Sequence, residues 1–339
     1  MKENILDSVL NSKNLSQYGI VDWGVTTRSK PITWKYYLDW VSKGLNGILK
    51  YLEGERRDKR EDIKNYFPEF KSAIVFQFSY AKKKFELDKF YQSKKSNGLK
   101  IASYVLGFEG VDYHYNLKES LESIGRELQG LDPELEFKLS LDTQPILERD
   151  LAFRAGLGWF GKNSMFISKS EGSFFILGSL LLSKDYTLPE RDVETDHCGQ
   201  CTKCADACPT DAIDLDTRTL ISNKCISTYT IETFKDVGEA PQGMENSNGE
   251  IFGCDICQEV CPWNKRLLRV GKVKPFEGDL SEHEVKVRSY FLERPISEIL
   301  DDLSSLSNRG FQRLFRSTPI ERTGRVGLLK NIRFFSGKR

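Results

Sequence analysis

The sequence predicts an α+β protein that is α/β-like in its first half, and three observations lead to this fold class. Segments of strand and helix periodicity alternate as far as Leu188, which predicts a mixed sheet flanked by helices. All eight cysteines lie between Cys198 and Cys261, a stretch typical of a small ferredoxin-like domain. Short apolar and basic segments then predict C-terminal helices. We therefore expect three domains, at residues 1–188, 189–265 and 266–339.

Strands of the first domain are predicted where apolar residues alternate with polar ones or form β-rich runs. The predicted strands are residues 20–26, residues 72–80, the run EFKLSLD that ends at Asp142, and the apolar runs MFIS and SFFILGSLLL.

Helices are predicted at residues 35–51, at residues 112–128 and over the run PILERDLAFRAG, which Pro145 begins and Gly156 ends. The first of these is interrupted by two glycines. Its expected buried positions are Tyr36, Trp40, Ile48 and Tyr51. The lysine-rich residues 82–100 are expected to form a loop or hairpin.

The cysteines fall into two runs and one single residue. The first run, CGQCTKCADACP, has the C-x2-C-x2-C-x3-C-P spacing of bacterial two-cluster ferredoxins, in which the fourth cysteine ligates the other cluster. The second run, CDICQEVCP, has Ile251 where that repeat has its first cysteine, and Cys225 is the one candidate to replace it. The exchange rule assigns one 4Fe–4S cluster to Cys198, Cys201, Cys204 and Cys261, and the other to Cys208, Cys225, Cys254 and Cys257.

Two zinc sites or a disulfide framework are the alternatives. Zinc ribbons use paired C-x2-C knuckles about 15–20 residues apart. Disulfide frameworks are typical of small secreted chains that carry a signal peptide. The spacing and the chain length of 339 residues therefore favour two 4Fe–4S clusters.

The composition is that of a globular protein, with 39% hydrophobic and 29% charged residues. The longest apolar run, at residues 174–182, is about half the ~20 residues that a membrane span requires. Clustered reduced cysteines without a recognisable export signal lead us to expect a cytoplasmic protein.

Positive charge is unevenly distributed, although the net charge is only +1. Five basic residues and no acid lie between Lys265 and Lys274, and nine basic residues and the single acid Glu321 lie between Arg309 and Arg339. Such tracts suit a phosphate-backbone partner. Charge runs are also common on solvated surfaces.

A glycine-rich loop follows the helix that ends at Gly156. Gly156, Gly158 and Gly161 spell G-x-G-x-x-G, but a dinucleotide site needs a strand before this motif and a helix after it. The order here is reversed, so we reject a dinucleotide site. The loop either exposes its backbone to a large flat ligand or is a simple turn, and it continues into Lys162, Asn163 and Ser164.

Asp142 ends a predicted strand, where ligand sites of open sheets gather. It also precedes a helix that begins with proline, and an N-cap is the more ordinary role for an aspartate there. The three histidines, His114, His197 and His283, do not complete a recognisable metal or nucleophile motif.

Several runs together resemble the epoxyqueuosine reductases, cobalamin-dependent iron–sulfur enzymes of queuosine synthesis on tRNA. The runs, in order, are GLNGILKYL, KREDIKNYFPEFKSAIV, VDYH, LDTQPILERDLAFRAGLGWFGKNSMFI, GSFFILG, CGQCTKCADACPTDAI, KCISTYTIE, FGCDICQEVCPWN and GLLKNIRF. They span almost the whole chain. Longer members of that family carry a further helical-repeat domain after the last run, and this chain resembles a short form without it.

The resemblance implies an N-terminal domain that binds base-off cobalamin without a protein ligand on its lower face. It implies that Asp142 is the catalytic proton donor and also lies at the cofactor. The further cofactor contacts it implies are Arg60, Gly158, Lys162, Asn163, Ser164 and Ser173. Electrons would pass from the two clusters to cobalamin and reduce the epoxide of epoxyqueuosine to the alkene of queuosine.

The same resemblance implies the partners. They are the anticodon arm of a tRNA carrying epoxyqueuosine and an external electron donor such as flavodoxin or ferredoxin, and we expect a monomer. Two other functions remain possible from the residues alone, a plain electron-transfer protein and a corrinoid reductive dehalogenase. Dehalogenases typically carry a twin-arginine signal, which the sequence lacks.

Overall fold

The computed structural model describes residues 6, 8–10, 12–186, 191–234, 238–269 and 278–337, in which helices and strands are mixed as far as residue 252 and only helices follow. The strands are β1 (Ile20–Thr26), β2 (Ser72–Ser79), β3 (Lys100–Ile101), β4 (Phe137–Ser140), β5 (Trp159–Phe160), β6 (Phe166–Ile167), β7 (Phe175–Leu182), β8 (Ile213–Asp214), β9 (Thr219–Leu220) and β10 (Glu250–Phe252). The helices are α1 (Ser12–Gln17), α2 (Trp34–Ser42), α3 (Gly54–Lys59), α4 (Ala81–Tyr91), α5 (Tyr113–Leu131), α6 (Glu148–Arg154), α7 (Lys203–Asp206), α8 (Ile256–Glu259), α9 (Pro262–Arg269), α10 (Glu282–Arg288), α11 (Ile296–Ser305), α12 (Asn308–Leu314) and α13 (Gly324–Ser336).

The chain divides into two compact units. The first comprises the described residues of Met1–Gly44, Lys50–Ser79 and His114–Cys201, and the second those of Leu45–Leu49, Tyr80–Tyr113 and Thr202–Arg339. The domain boundary expected between residues 188 and 189 lies outside the described residues. The boundary expected at residue 265 remains a prediction.

The first unit is built on a four-stranded sheet of order β1-β2-β7-β4. The predicted α+β class is confirmed, but these four strands pair antiparallel throughout, whereas the sequence predicted a mixed sheet. The reason is the strand order. β2 and β4 run parallel to each other, and β7 is inserted between them and pairs antiparallel with both.

Both faces of this sheet are covered. On one face, side chains of β2 and β7 pack with α6 through residues such as Val75, Leu151 and Leu181, each 0% exposed. On the other face, α5 buries Leu117, Leu121 and Leu128. Gly125 of α5 allows close packing there, because a Cβ atom at this position would lie 2.4 Å from the ring of Phe137. The start of β4 therefore packs closely against α5.

The second unit has its own apolar core, which contains Phe252, Phe291, Phe315 and Ile332, each 0% exposed. Helix α13 anchors this core with a buried amide, because Nδ2 of Asn331 donates to the backbone oxygens of Thr230 and Ile251 at 2.8 Å each. The short parallel pair β3 and β10 lies in the same unit.

Two predictions for the segments around the sheet are wrong. The predicted helix at residues 35–51 ends at Ser42, followed by Gly44 and Gly47 with φ of 67° and 54°. Helix α2 has no buried residue. Tyr36, Ile48 and Tyr51 are 60%, 47% and 46% exposed, and Trp40 is only partly buried. Helical periodicity identified a shared face, but no element of the first unit buries the described residues of α2.

The second wrong prediction concerns the first half of the lysine-rich segment, which forms helix α4 instead of a loop, whereas residues 92–99 form turns and irregular structure as expected. Lys84 is 2% exposed, and its Nζ lies 2.5 Å from Oε1 of Glu259 and 2.6 Å from Oδ1 of Asp88. Two of the lysines that suggested a solvated loop, Lys83 and Lys84, are therefore buried ion-pair partners.

Candidate active site and cluster-binding cysteines

Asp142 lies on the loop between β4 and α6, with its side chain 60% exposed. Its φ of 60° places a residue with a side chain in the left-handed region, which is uncommon outside glycine. The predicted N-cap role is wrong, because α6 begins at Glu148 and Leu147 occupies the N-cap position. The loop between Asp142 and Glu148 separates the aspartate from the helix, so its carboxyl is not used to satisfy a helix terminus.

Glu148 is the neighbour that the sequence did not reveal. Its Oε1 accepts hydrogen bonds from the backbone N–H of Asp142 at 2.6 Å and from the hydroxyl of Ser140 at 2.9 Å. Desolvation raises the pKa of Glu148 to about 8, and the negative charge of Asp142 adds to this effect. Two carboxyl groups in different surroundings are the arrangement that acid–base sites use to separate their roles.

Three cationic or titratable side chains face this pair. His114 Nε2 lies 3.9 Å from Oδ2 of Asp142, within ion-pair range when the imidazole is protonated. The charges of Arg149 and Arg60 act on Glu148. A role for His114 beside Asp142 was not predicted, because the two residues are far apart in the sequence and meet only in the folded unit.

Arg60 is 6% exposed and lies close enough to Glu148 for its charge to act on that carboxyl, whereas the cofactor contact expected of Arg60 remains a prediction. Its Nη1 donates to the backbone oxygen of Arg56 at 2.8 Å, and its guanidinium lies 5.9 Å from the ring centre of Tyr37. Arg56 in turn donates through Nη2 to the backbone oxygen of Thr143 at 2.8 Å. Helix α3 and the residue after it therefore support the loop that carries Asp142.

The glycine-rich loop leads into a hairpin of β5 and β6: Gly156 and Gly158 precede β5, and Gly161, Lys162, Asn163 and Ser164 lie between the two strands. A Cβ atom on Gly158 would lie 2.1 Å from the backbone oxygen of Ile167, and one on Gly156 would lie 2.4 Å from Cβ of Arg191. Packing within the first unit thus accounts for these two glycines. The contact of this loop with a large flat ligand remains a prediction.

The polar residues of the hairpin differ in accessibility. Lys162 Nζ donates to the backbone oxygen of Gly199 at 2.7 Å, whereas Asn163 is 5% exposed and accepts from the backbone N–H of Met165 at 3.2 Å. Ser164 has a φ of 61°, and its backbone oxygen accepts a hydrogen bond from Nη1 of Arg149. Arg149 therefore connects the hairpin with the surroundings of Asp142. Ser173 is 1% exposed.

The eight cysteines are free thiols of intermediate exposure. Burial raises the pKa of Cys257, and the charges of Cys225, Asp255 and Cys208 raise it further. Burial likewise raises the pKa of Cys254, on which Cys257 and Cys225 also act. The four thiols of one predicted set, Cys208, Cys225, Cys254 and Cys257, thus interact electrostatically within the second unit, and Cys204 of the other predicted set also acts on Cys257.

These thiols have the donor chemistry of a 4Fe–4S cluster, which cysteine thiolates hold. Cys208 also receives a hydrogen bond from the backbone N–H of Ala212 at 3.4 Å, and its Sγ lies 3.6 Å from Oγ1 of Thr210. Hydrogen bonds to cluster sulfurs tune reduction potentials. The other predicted set includes Cys198 and Cys201 of the first unit, and its assignment rests on spacing.

None of the helices within the described residues combines the length and the apolar character that a membrane crossing needs.

Two parts of the chain match known protein families. Residues 60–143 match the family described as Epoxyqueuosine reductase QueG, DUF1730, and residues 197–264 match the 4Fe-4S double cluster binding domain.

Curated relatives match over most of the chain. The epoxyqueuosine reductase of Cyclobacterium marinum is 34% identical over 297 residues, which cover 87% of this chain and 86% of the relative. That of Synechocystis sp. is 31% identical and covers 86% of this chain and 91% of the relative.

Solved structures share the fold. The epoxyqueuosine reductase from Streptococcus thermophilus matches with a TM-score of 0.76 at 28% identity, over 97% of this chain and 80% of that chain. An epoxyqueuosine reductase with an epoxyqueuosine-modified tRNA-Tyr stem loop matches with a TM-score of 0.71 at 23% identity, over 98% of this chain and 80% of that chain.

Proposed function

The chain belongs to the epoxyqueuosine reductase family, and from this membership we propose that it removes the epoxide oxygen of epoxyqueuosine in tRNA. Both epoxide C–O bonds break, two electrons and two protons are consumed, and the products are the alkene of queuosine and water. The observation that carries the residue assignment is the exposed carboxyl of Asp142, on a loop that hydrogen bonds to Glu148 and Arg56 hold in place.

We assign Asp142 as the group that protonates the departing oxygen. Its carboxyl is accessible, and its backbone is tied to Glu148 and, through Thr143, to Arg56. A positioned acid of this kind contributes about 10²–10⁴-fold to a rate. The oxygen leaves as water only after it has gained protons, so an acid within hydrogen-bond reach is required.

The cysteine sets would deliver the electrons one at a time from an external donor such as flavodoxin or ferredoxin. The electrostatic proximity of Cys208, Cys225, Cys254 and Cys257 supports one of the two clusters. The match of residues 197–264 to a double cluster domain supports the pair.

The residues of the first unit are compatible with cobalamin as the second cofactor. When bound, cobalamin supplies a strongly reducing cobalt centre, and we propose that it binds base-off with no protein imidazole below it. Gly158 and the hairpin residues Lys162 and Ser164 would contact it, because Arg149 joins this hairpin to the Asp142 region. Asn163 and Ser173, which are buried, would support the hairpin backbone, and Arg60 would support the Asp142 loop.

Part of the predicted basic surface lies on α12. Arg309 and Arg313 are one helical turn apart on α12, Arg316 lies two residues beyond the end of this helix, and all three are exposed. We propose that they contact the tRNA backbone. Lys265, Arg266 and Arg269 of the other tract are also exposed, whereas Lys272 and Lys274 lie outside the described residues.

The test begins with anaerobically reconstituted protein titrated with cob(II)alamin. We expect the base-off optical spectrum and an EPR spectrum without nitrogen splitting from a histidine ligand. Turnover with an epoxyqueuosine-containing tRNA stem loop should then lower the nucleoside mass by one oxygen, while the queuosine-containing stem loop should not change. Protein with intact clusters that binds no cobalamin and leaves the epoxide unchanged would instead be an electron carrier.

A further inference from the structure

The backbone at Asp142 is held in an unfavourable conformation by a small set of hydrogen bonds. A left-handed residue with a side chain is less stable than the same residue in the right-handed or extended region, so the surrounding contacts must maintain it. Next to it, the backbone N–H of Leu141 donates to Oε1 of Gln144 at 2.8 Å, and that of Thr143 donates to the oxygen of Leu141 at 2.6 Å. These contacts are all local to the loop.

Two side chains outside the loop join it to the rest of the first unit: Arg56 donates to the backbone oxygen of Thr143, and Glu148 accepts the backbone N–H of Asp142 itself. Oε1 of Glu148 receives the N–H of Asp142 and the hydroxyl of Ser140, which is the last residue of β4. Glu148 itself is the first residue of α6, whose Leu151 and Ala152 are 0% exposed against the sheet. One carboxyl oxygen therefore links the strand end, the loop and the helix start.

The charged groups around Glu148 come from several elements. Asp142 lies on the loop, Arg60 follows α3, Arg149 is the next residue of α6, and His114 of α5 faces Asp142. Burial and the charge of Asp142 favour the neutral form of Glu148, whose pKa is raised to about 8. A neutral carboxyl still offers its carbonyl oxygen as an acceptor, so the two hydrogen bonds persist when Glu148 is protonated.

We propose that Glu148 is a positioning residue, whose Oε1 fixes the left-handed backbone of Asp142 and so directs the aspartate carboxyl toward the substrate. This inference rests on the role proposed for Asp142. A helix-anchored acceptor defines the direction of the Asp142 Cα–Cβ bond more narrowly than the local loop contacts do. The factor by which a catalytic acid raises the rate depends on its position to within less than an ångström.

The test compares three substitutions at one position. Glu148→Gln keeps the Oε1 acceptor and the side-chain length, Glu148→Asp keeps the carboxyl but shortens its reach, and Glu148→Ala removes the acceptor. We expect Glu148→Ala and Glu148→Asp to lower kcat about 10- to 100-fold, the effect of losing one hydrogen bond to an ionisable group, with little change in KM. Glu148→Gln should restore most of kcat. Asp185→Asn is the matched control, because Asp185 follows the end of β7 that pairs with the start of β4, whereas Asp142 follows the end of β4.

The second readout needs neither cofactor nor substrate. Hydrogen exchange of residues 141–144 should accelerate in Glu148→Ala and Glu148→Asp and stay slow in Glu148→Gln, with iron content unchanged in all three. Normal kcat and normal exchange in Glu148→Ala would overturn the inference. So would a Glu148→Gln variant as impaired as Glu148→Ala in both measurements.

The two proposals can fail separately. If Asp142→Asn retains full activity, the proton-donor role is wrong, whatever Glu148 does to the loop. If Asp142→Asn is inactive but loss of the Glu148 acceptor changes neither exchange nor kcat, only the positioning role is wrong.

Discussion

The backbone N–H of Asp142 lies 2.6 Å from Oε1 of Glu148, which ties an exposed candidate acid to a carboxyl of raised pKa. The bond is formed between the residue that follows β4 by two positions and the first residue of α6. It explains how an aspartate can keep a left-handed backbone and an accessible side chain on the same loop. Burial, which raises the pKa of Glu148, also makes the stability of the first unit dependent on pH.

Glu148 should make the folded chain less stable as the pH rises. Its pKa is about 8 in the folded chain and 4.5 as a model group, so between these values the folded chain holds one more proton than the unfolded chain. The stabilisation is complete below about pH 4.5 and is lost as the pH rises through 8, by at most about 1.4 kcal/mol per pH unit. The melting temperature of the parent relative to Glu148→Gln should therefore fall between pH 5 and pH 8. Parallel pH profiles of the two proteins would contradict this prediction.

Cys225 is expected to complete a cluster although it stands alone in the sequence. Cys225→Ser should lower the iron content from about eight to about four atoms per chain and leave the EPR signal of one reduced cluster. Ser227→Ala, two residues away and not a predicted ligand, should keep both clusters. Full iron content in Cys225→Ser would exclude the proposed ligand set.

The exposed arginines on α12 and just beyond its end should contribute to the salt dependence of tRNA binding. Replacing Arg309, Arg313 and Arg316 together with glutamine should weaken binding and reduce the slope of log K against log[salt] by about 2 to 3, near one unit per lost phosphate contact. The charge-matched control replaces the exposed Lys89, Lys94 and Lys95 with glutamine. Equal slopes in both triple variants would show that α12 does not touch the backbone.

Breaking the buried ion pair of α6 should destabilise the first unit. The side chains of Arg154 and Asp150 are 2% and 1% exposed, and Oδ2 of Asp150 also accepts the backbone N–H of Thr33 at 2.7 Å. Arg154→Met leaves the aspartate buried without its cation, which costs about 3–5 kcal/mol. Lys43→Met removes an ion pair to Asp39 whose side chains are 52% and 55% exposed, and should cost less than about 1 kcal/mol. Unfolding by denaturant measures both, and similar losses would contradict the prediction.

Local spacing was enough to predict the parts of the site that lie on one short stretch of sequence. The intervals of two and three residues in the two cysteine runs predicted an iron–sulfur region, and the match of residues 197–264 to a 4Fe-4S double cluster binding domain supports it, while the individual ligand sets remain predictions. The family was recognisable for the same reason, because its motifs are contiguous, and the curated relatives confirm it. The position of Asp142 after β4 followed from the alternation of Phe137, Leu139 and Leu141.

Features that depend on distant packing could not be predicted. Nothing in the sequence distinguishes Lys84, buried between Asp88 and Glu259, from a solvated lysine. The same holds for Tyr36, because an amphipathic period shows which residues share a face but not whether anything covers that face. Glu148 was missed because its partnership with Asp142 exists only once the intervening loop has folded back.

Single-turnover reduction of an epoxyqueuosine-containing tRNA stem loop by Asp142→Asn, followed by mass analysis of the nucleoside, examines the proposed chemistry at its key residue. Asparagine keeps the shape of the side chain but cannot supply the proton. We expect the rate of oxygen loss to fall about 10²–10⁴-fold while iron content and tRNA binding match those of the parent and of Asp185→Asn. An Asp142→Asn protein that forms queuosine at the parent rate would contradict the assignment of Asp142 as the proton donor.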